Sequence, residues 1–427
     1  MGQLGWSLGA YATTNLITYF YLPPGDGQTA IFPTYIYQGL LMGFATIIGL
    51  VTLGGRLFDA ITDPLIANWS DKANVTTGRR KPFLKYGALP FAIFSVLAFI
   101  PLTGGQSVLN AIWLSFCLVG FFFCMTLYVT PYTTWLSELG HNKNERLNLS
   151  TYISVAWALG FAIGITIPTV QQYLETFYTA TQAFQMAIAF YAVIAFIFMM
   201  VPVVFIDEPK YSLQGKSDLT TIQSIKTVLK DANFKTFALT DLFYWMALTS
   251  IQLGLVYYVT VLLAEEKDEF TYYAGIMFAL SFLFYVPVNS LAKKVGKKPL
   301  ITAAFIVYAF VFAGILSIGY LPMLPKTQLL ILIILSALPT AVFGILPNAV
   351  IADLAEKGES EDNNTGMYFG VRMFMMKLGV SATNFIFPSL LICGKSVGND
   401  LGVRLTAVFA LIVCIAALFV FRKFKEV

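Results

Sequence analysis

The chain has 427 residues, of which 57% are hydrophobic, 15% aromatic and only 12% charged, with a net charge of +4. Soluble globular proteins carry roughly 25% charged residues, so the composition excludes an ordinary water-soluble fold and points to a chain built for lipid. One histidine and four cysteines with no ligand-like spacing exclude His-based triads, zinc sites and a disulfide framework, and with them most integral-membrane enzyme chemistry.

Apolar runs of about 20 residues, each long enough to cross a bilayer, recur along the whole length. About twelve spans are expected, at 4–22, 35–69, 83–103, 109–136, 149–170, 184–206, 237–263, 272–292, 300–321, 329–351, 368–393 and 401–421. The first lacks a small-residue cleavage site and carries Thr13, Thr14 and Asn15 at its centre, so it reads as a retained helix rather than a signal peptide. The second and fourth are longer than a span needs, which predicts tilt or extension beyond the membrane surface. Cys117, Cys124, Cys393 and Cys414 fall within or at the ends of apolar runs and read as buried thiols.

The second span holds Arg56, Asp59 and Asp63 in an otherwise apolar run. A carboxylate at the centre of a membrane helix costs about 2.5–3.5 kcal/mol even on insertion scales. The i, i+3, i+7 spacing puts all three groups on one helix face. Two carboxylates four residues apart imply a cation between them or a shared proton. The plainer reading is that Arg56 neutralises Asp59 as a packing pair, which leaves Asp63 unexplained.

Tyr11, Asn15, Tyr128, Tyr132, Tyr152 and Trp245 are candidates to line a solute cavity, against the alternative of packing or an interfacial aromatic belt. Lys377 lies in an apolar stretch of the eleventh span, where it either couples the two halves by meeting Asp59 when no cation is bound or snorkels to the interface. Arg372 reads as a surface anchor, and Asp241 and Asp353 as charges at the cytoplasmic ends of spans, either gating pairs or simple end-charges.

The longest polar connection divides the chain into residues 1–206, a linker at 207–235 and residues 236–427, six spans on each side. SDKANVTTGRRKP after the second span is echoed by AKKVGKKP after the eighth, which suggests two parallel repeats. Basic residues gather in the connections after even-numbered spans, such as Arg79, Arg80 and Lys81 or Lys297 and Lys298. The odd-numbered connections hold Lys267, Lys326 and Lys395, with Arg404 near the surface. This bias places both termini in the cytoplasm.

The helix-two pattern, Gly55, Arg56, Asp59, Ala60, Thr62, Asp63 and Pro64 followed by Ser70, Asp71, Gly78, Arg79, Arg80 and Pro82, resembles the glycoside–pentoside–hexuronide cation symporters. These form a branch of the major facilitator superfamily typified by the melibiose permease. YVTPY at Tyr128–Tyr132, Glu145-Arg146 and Lys377-Leu378-Gly379 add supporting matches, and the likeness runs the full length. The resemblance implies an all-α membrane fold of two six-helix bundles and a secondary active symporter, not an enzyme. It would import a small solute, by family a sugar or glycoside, by alternating access.

On this reading Asp59, Asp63, Thr62 and Thr126 bind the coupling ion, Na+ or H+, and Arg56 and Lys377 couple its occupancy to transport. No other cofactor and no nucleic-acid partner are expected, and the protein would work as a monomer in the cell membrane. The acidic, amide and arginine positions that such permeases use for sugar fall at Ala10, Val129 and Ile153. Those substitutions raise the alternative of an amphiphilic, lipid-like or other non-sugar solute, as in the related lysolipid symporters.

Overall fold

The structure, a computed structural model, describes residues 1–25, 30–41, 43, 45–73, 78–139, 143–208, 231–357 and 365–426. Among these residues it is helical, with no β-strand. A chain in lipid must satisfy every backbone N–H and C=O internally, and helices do this segment by segment. Contacts divide the chain into two compact units, Met1–Pro23 with Gly27–Ser217 and Pro24–Asp26 with Asp218–Val427. Most of the linker expected at 207–235 lies outside the described residues.

The first unit comprises α1 (Gly2–Tyr11), a π-helical turn at Ala12–Leu16, α2 (Ile17–Tyr21), α3 (Ile47–Lys72), α4 (Lys81–Leu97), α5 (Val108–Leu139), α6 (Lys143–Ile165), α7 (Ile167–Leu174) and α8 (Ala180–Phe205). The second comprises α9 (Ala232–Tyr257), a π-helical turn at Tyr258–Leu262, α10 (Glu269–Val295), α11 (Lys297–Leu316), α12 (Pro325–Lys357), α13 (Thr365–Leu391) and α14 (Leu401–Phe421). Taking α1–α2, α6–α7 and α9 with its π turn as single rods gives twelve helical segments among the described residues. Nine helices there are long and apolar enough to cross a membrane by length and composition. The remaining three are the π-interrupted first rod, α3 with its charged triad, and α4, which is 17 residues long.

Polar side chains start several helices. Thr46 Oγ1 accepts from Gly49 N at the head of α3, Thr179 and Gln182 form a reciprocal capping box on α8, and Asp231 accepts from Asn233 N and Phe234 N on α9.

The two units use the same pairing scheme. Within the first, the first rod packs on the fifth and sixth, the second on the fourth, the third on the fourth and sixth, and the fifth on the sixth. Within the second, the seventh rod packs on the eleventh and twelfth, the eighth on the tenth, the ninth on the tenth and twelfth, and the eleventh on the twelfth. Six pairings recur in the same order, as two parallel repeats require.

The repeated basic turn has a repeated acidic partner. Gly78 has φ +111° and Gly296 φ +87°, a region that costs glycine little, and each turn starts a helix. Glu208, just beyond α8, accepts hydrogen bonds from Arg79 N, Arg80 N and Lys81 N at 2.8–3.1 Å. Glu426, just beyond α14, accepts from Lys297 N and Lys298 N. Lys81 Nζ donates to the Ile206 carbonyl, and Lys298 Nζ to those of Phe424 and Arg422. A carboxylate on the uncovered N–H groups of a helix start is favoured by hydrogen bonding and by the helix dipole. The same clamp therefore closes each unit.

Candidate cation and solute site

The site grows from the contact between α3 and α5. Gly55 lets α5 approach: a Cβ there would lie 2.6 Å from the Phe122 ring. One turn on, the Thr126 hydroxyl donates to Asp59 Oδ1 at 2.6 Å, and one turn further the Thr130 hydroxyl donates to Asp63 Oδ1 at 3.2 Å. Each of these pairs is separated by 67 residues, so the two helices run parallel in a fixed register over two turns. The i, i+4 spacing of the aspartates meets the i, i+4 spacing of the threonines, and the result is a ladder of carboxylate–hydroxyl rungs.

Asp59 is fully buried and Asp63 half-buried. Arg56 Nη1 lies 4.0 Å from Asp59 Oδ2, and its guanidinium carbon sits 4.7 Å over the Phe122 ring. The arginine thus offsets the buried negative charge from beside it, held by the aromatic face as well as by the carboxylate. Pro64 and Pro131 follow Asp63 and Thr130 directly and share the same register. A proline has no N–H, so the carbonyls four residues back, at Ala60 and Leu127, lose their usual helical donors. Carboxylates, hydroxyls and released carbonyls make a set of hard oxygen donors, which suits a small hard cation or a proton.

The predicted residues separate into groups. Asp59, Asp63 and Thr126 come together, and Arg56 joins them. Thr62 sits one residue from Asp63, yet its hydroxyl donates back to the Phe58 and Asp59 carbonyls at 3.0 and 3.1 Å. Thr130 belongs to the ladder and was missed as a site residue. The signal for it was present, because Thr126–Pro131 repeats the spacing of Asp59–Pro64.

Tyr128 and Tyr132 are buried and stacked at 5.6 Å; the first donates to the Met199 carbonyl at 2.8 Å and the second accepts from Gln3 N at 3.0 Å. These two hydroxyls tie α1, α5 and α8 together within the bundle. Tyr11 is buried edge-on to Phe161 at 4.8 Å. Asn15 lies in the π turn, where its amide donates to the Tyr11 carbonyl and to Thr14 Oγ1. π turns within helices frequently mark functional sites. Tyr152 is 68% exposed, and Trp245, in the second unit, is half-buried and packs against Tyr244 at 5.2 Å. Ala10 is buried on α1.

In the second unit Lys377 is half-buried on α13, and its carbonyl accepts from Ser381 Oγ at 2.6 Å. Arg372 is no surface anchor: it is 8% exposed, and its guanidinium donates to both Asp241 oxygens at 3.2 and 3.4 Å and to Asn348 Oδ1. The α13 face that carries Arg372 packs on α9, so the arginine and Asp241 neutralise each other in the interior. Asp353 is paired with Lys297. Residues 358–364, which follow α12, lie outside the described residues. Cys117, Cys124 and Cys414 are buried, whereas Cys393 is exposed in the turn after α13, against the expectation of four buried thiols.

A family model described as MFS/sugar transport protein matches residues 6–422. The chain is 23% identical to the isoprimeverose transporter of Lactiplantibacillus pentosus over 62% of its own length and 55% of that protein's. It is 34% identical to the uncharacterized symporter sll1374 of Synechocystis sp. over 28% of its own length and 23% of that protein's. The matched stretches thus span about half and about a quarter of these two relatives. Among solved structures, the crystal structure of the nucleoside transporter NupG superposes with a TM-score of 0.69 at 14% identity, covering 99% of this chain and 98% of that one, a likeness of fold alone.

Proposed function

Because the chain belongs to the MFS/sugar transport protein family, we propose that it is a secondary active symporter that carries a sugar or glycoside into the cell together with a cation. The observation that carries this reading is the ladder on α3 and α5, where two membrane-embedded aspartates each receive a threonine hydroxyl with a guanidinium alongside. Intramembrane acids are costly, and an ion or proton pathway is their default role. Asp59 and Asp63 supply the charge that binds the ion, Thr126 supplies a neutral oxygen, and Thr62 adjoins them. Arg56 offsets the carboxylates when the ion is absent. Lys377, a charge in the apolar run of α13, carries the coupling role in the second unit.

Transport proceeds by alternating access, each six-helix unit moving as one body. In the first unit the solute contacts come from the π turn of the first rod, through Asn15 and Thr14. Tyr11, Tyr128 and Tyr132 serve as packing walls rather than as contacts. Both termini face the cytoplasm, the membrane is that of the cell, and one chain is the working unit.

Purified protein in proteoliposomes, given labelled sugars and glycosides under an imposed Na+ or pH gradient, tests the proposal. Uptake of at least one sugar should exceed the gradient-free rate and collapse with an ionophore, and Asp59→Asn or Asp63→Asn should reduce it to the level of empty vesicles. Wild-type rates in both variants would refute the ion site. The gradient that drives uptake names the ion.

A further inference from the structure

We infer that Thr130 is a positioning residue for Asp63, and that the ion site is built from two addressed rungs rather than from one cluster of acids. The inference rests on the symport reading and goes beyond it by assigning a separate partner to each carboxylate. Thr126 addresses Asp59 and Thr130 addresses Asp63, both across the same 67-residue offset. The Gly55–Phe122 contact holds that offset at one end, and the matched prolines, Pro64 and Pro131, follow the last rung at the other. A register set in this way leaves α5 little freedom to slide along α3. Each hydroxyl therefore stays opposite its own carboxylate.

A hydroxyl in this position does two things that a methyl group cannot. Without an ion it donates to the carboxylate and holds one oxygen in place. With an ion it can turn its lone pairs toward the cation and leave the carboxylate to bind directly. Asp59 is fully buried, with Arg56 beside it, whereas Asp63 is half-buried and lies one turn further along the chain. The inner rung thus has a fixed counter-charge on its own helix. At the outer rung the Thr130 hydroxyl holds Asp63 Oδ1, so Thr130 bears on how strongly the ion is held. Asp59 and Arg56 share by spacing the α3 face that carries Asp63. The face of α5 that packs there brings the hydroxyls of Thr126 and Thr130.

The test needs no substrate and uses the full-length protein purified in detergent. Radioactive sodium binding is measured for wild type, Asp63→Asn, Thr130→Val and Thr130→Ser. In the same samples the infrared absorption of protonated carboxyl groups is followed against pH, so a protein that takes only protons is read equally well. Thr130→Val, which keeps the shape and loses the hydroxyl, should weaken ion binding about tenfold, the scale of one hydrogen bond to a charged group. Where protons are the ion, the infrared frequency of the protonated carboxyl should shift, because it reports the hydrogen bond that Thr130 supplies. Thr130→Ser should stay within about twofold of wild type.

A Thr130→Val protein identical to wild type, or a Thr130→Ser protein as impaired as Thr130→Val, overturns the positioning role while a changed Asp63→Asn keeps the ion site. An Asp63→Asn protein that matches wild type in both measurements removes the ion site itself, and the inference falls with it.

Discussion

At the scale of single residues, burial and partnership decide what each charge does. Asp59 is fully enclosed, and its bond from Thr126 is the shortest carboxylate contact of the ladder, so the loss of that hydroxyl leaves a buried charge poorly satisfied. Thr126→Val is expected to cost about 1–3 kcal/mol in ion binding. The check is the ion concentration that half-maximally stabilises the protein against heat. Thr62→Val should change that concentration far less, because the Thr62 hydroxyl already bonds its own helix.

The pair Asp241–Arg372 makes the opposite case. Removing one partner of a buried ion pair typically costs about 3–5 kcal/mol, so Arg372→Ala should lower the melting temperature sharply without altering the ion dependence of what remains folded. Asp59 and Asp63 were legible in the sequence because charge in an apolar run has few innocent explanations. Arg372 was misread because its partner lies more than a hundred positions away, and the register that joins them exists only once α9 and α13 pack.

At the scale of elements, the helix starts after the two basic turns carry the strongest constraint. Glu208 serves three backbone N–H groups of the α4 start, so one side chain replaces the partners that a helix start lacks. Glu208→Ala leaves those donors without their acceptor and should destabilise the first unit by about 1–3 kcal/mol. Thermal unfolding in detergent, followed by tryptophan fluorescence, checks it. Glu208→Gln should fall between, since it keeps an acceptor oxygen and loses the charge.

The echo of GRRKP in GKKP was visible along the chain and suggested repeats. The acidic half of each clamp was not visible, because Glu208 follows Asp207 and Glu426 follows Lys425 in ordinary polar ends of spans, and no periodicity marks either. The π turns were equally hidden: Ala12–Leu16 differs from an α-helix by one residue's displacement, which composition does not record.

At the scale of the whole molecule, the number and order of the helical segments were legible because each apolar run is set by bilayer thickness, a constraint that acts locally on sequence. The pairing of those segments was not, since it depends on side-chain registers such as that of Gly55 with Phe122. Orientation in the membrane rests on the distribution of Lys and Arg, and one native thiol tests it. Cys393 is exposed in the turn between α13 and α14, while Cys117, Cys124 and Cys414 are buried. With both termini in the cytoplasm, that turn faces outward. A membrane-impermeant maleimide added to intact cells should therefore label the wild-type protein, and Cys393→Ser should abolish the labelling. Labelling that appears only after the cells are permeabilised would place this turn inside. The Arg79–Lys81 turn would then lie outside, contrary to the charge rule that governs insertion.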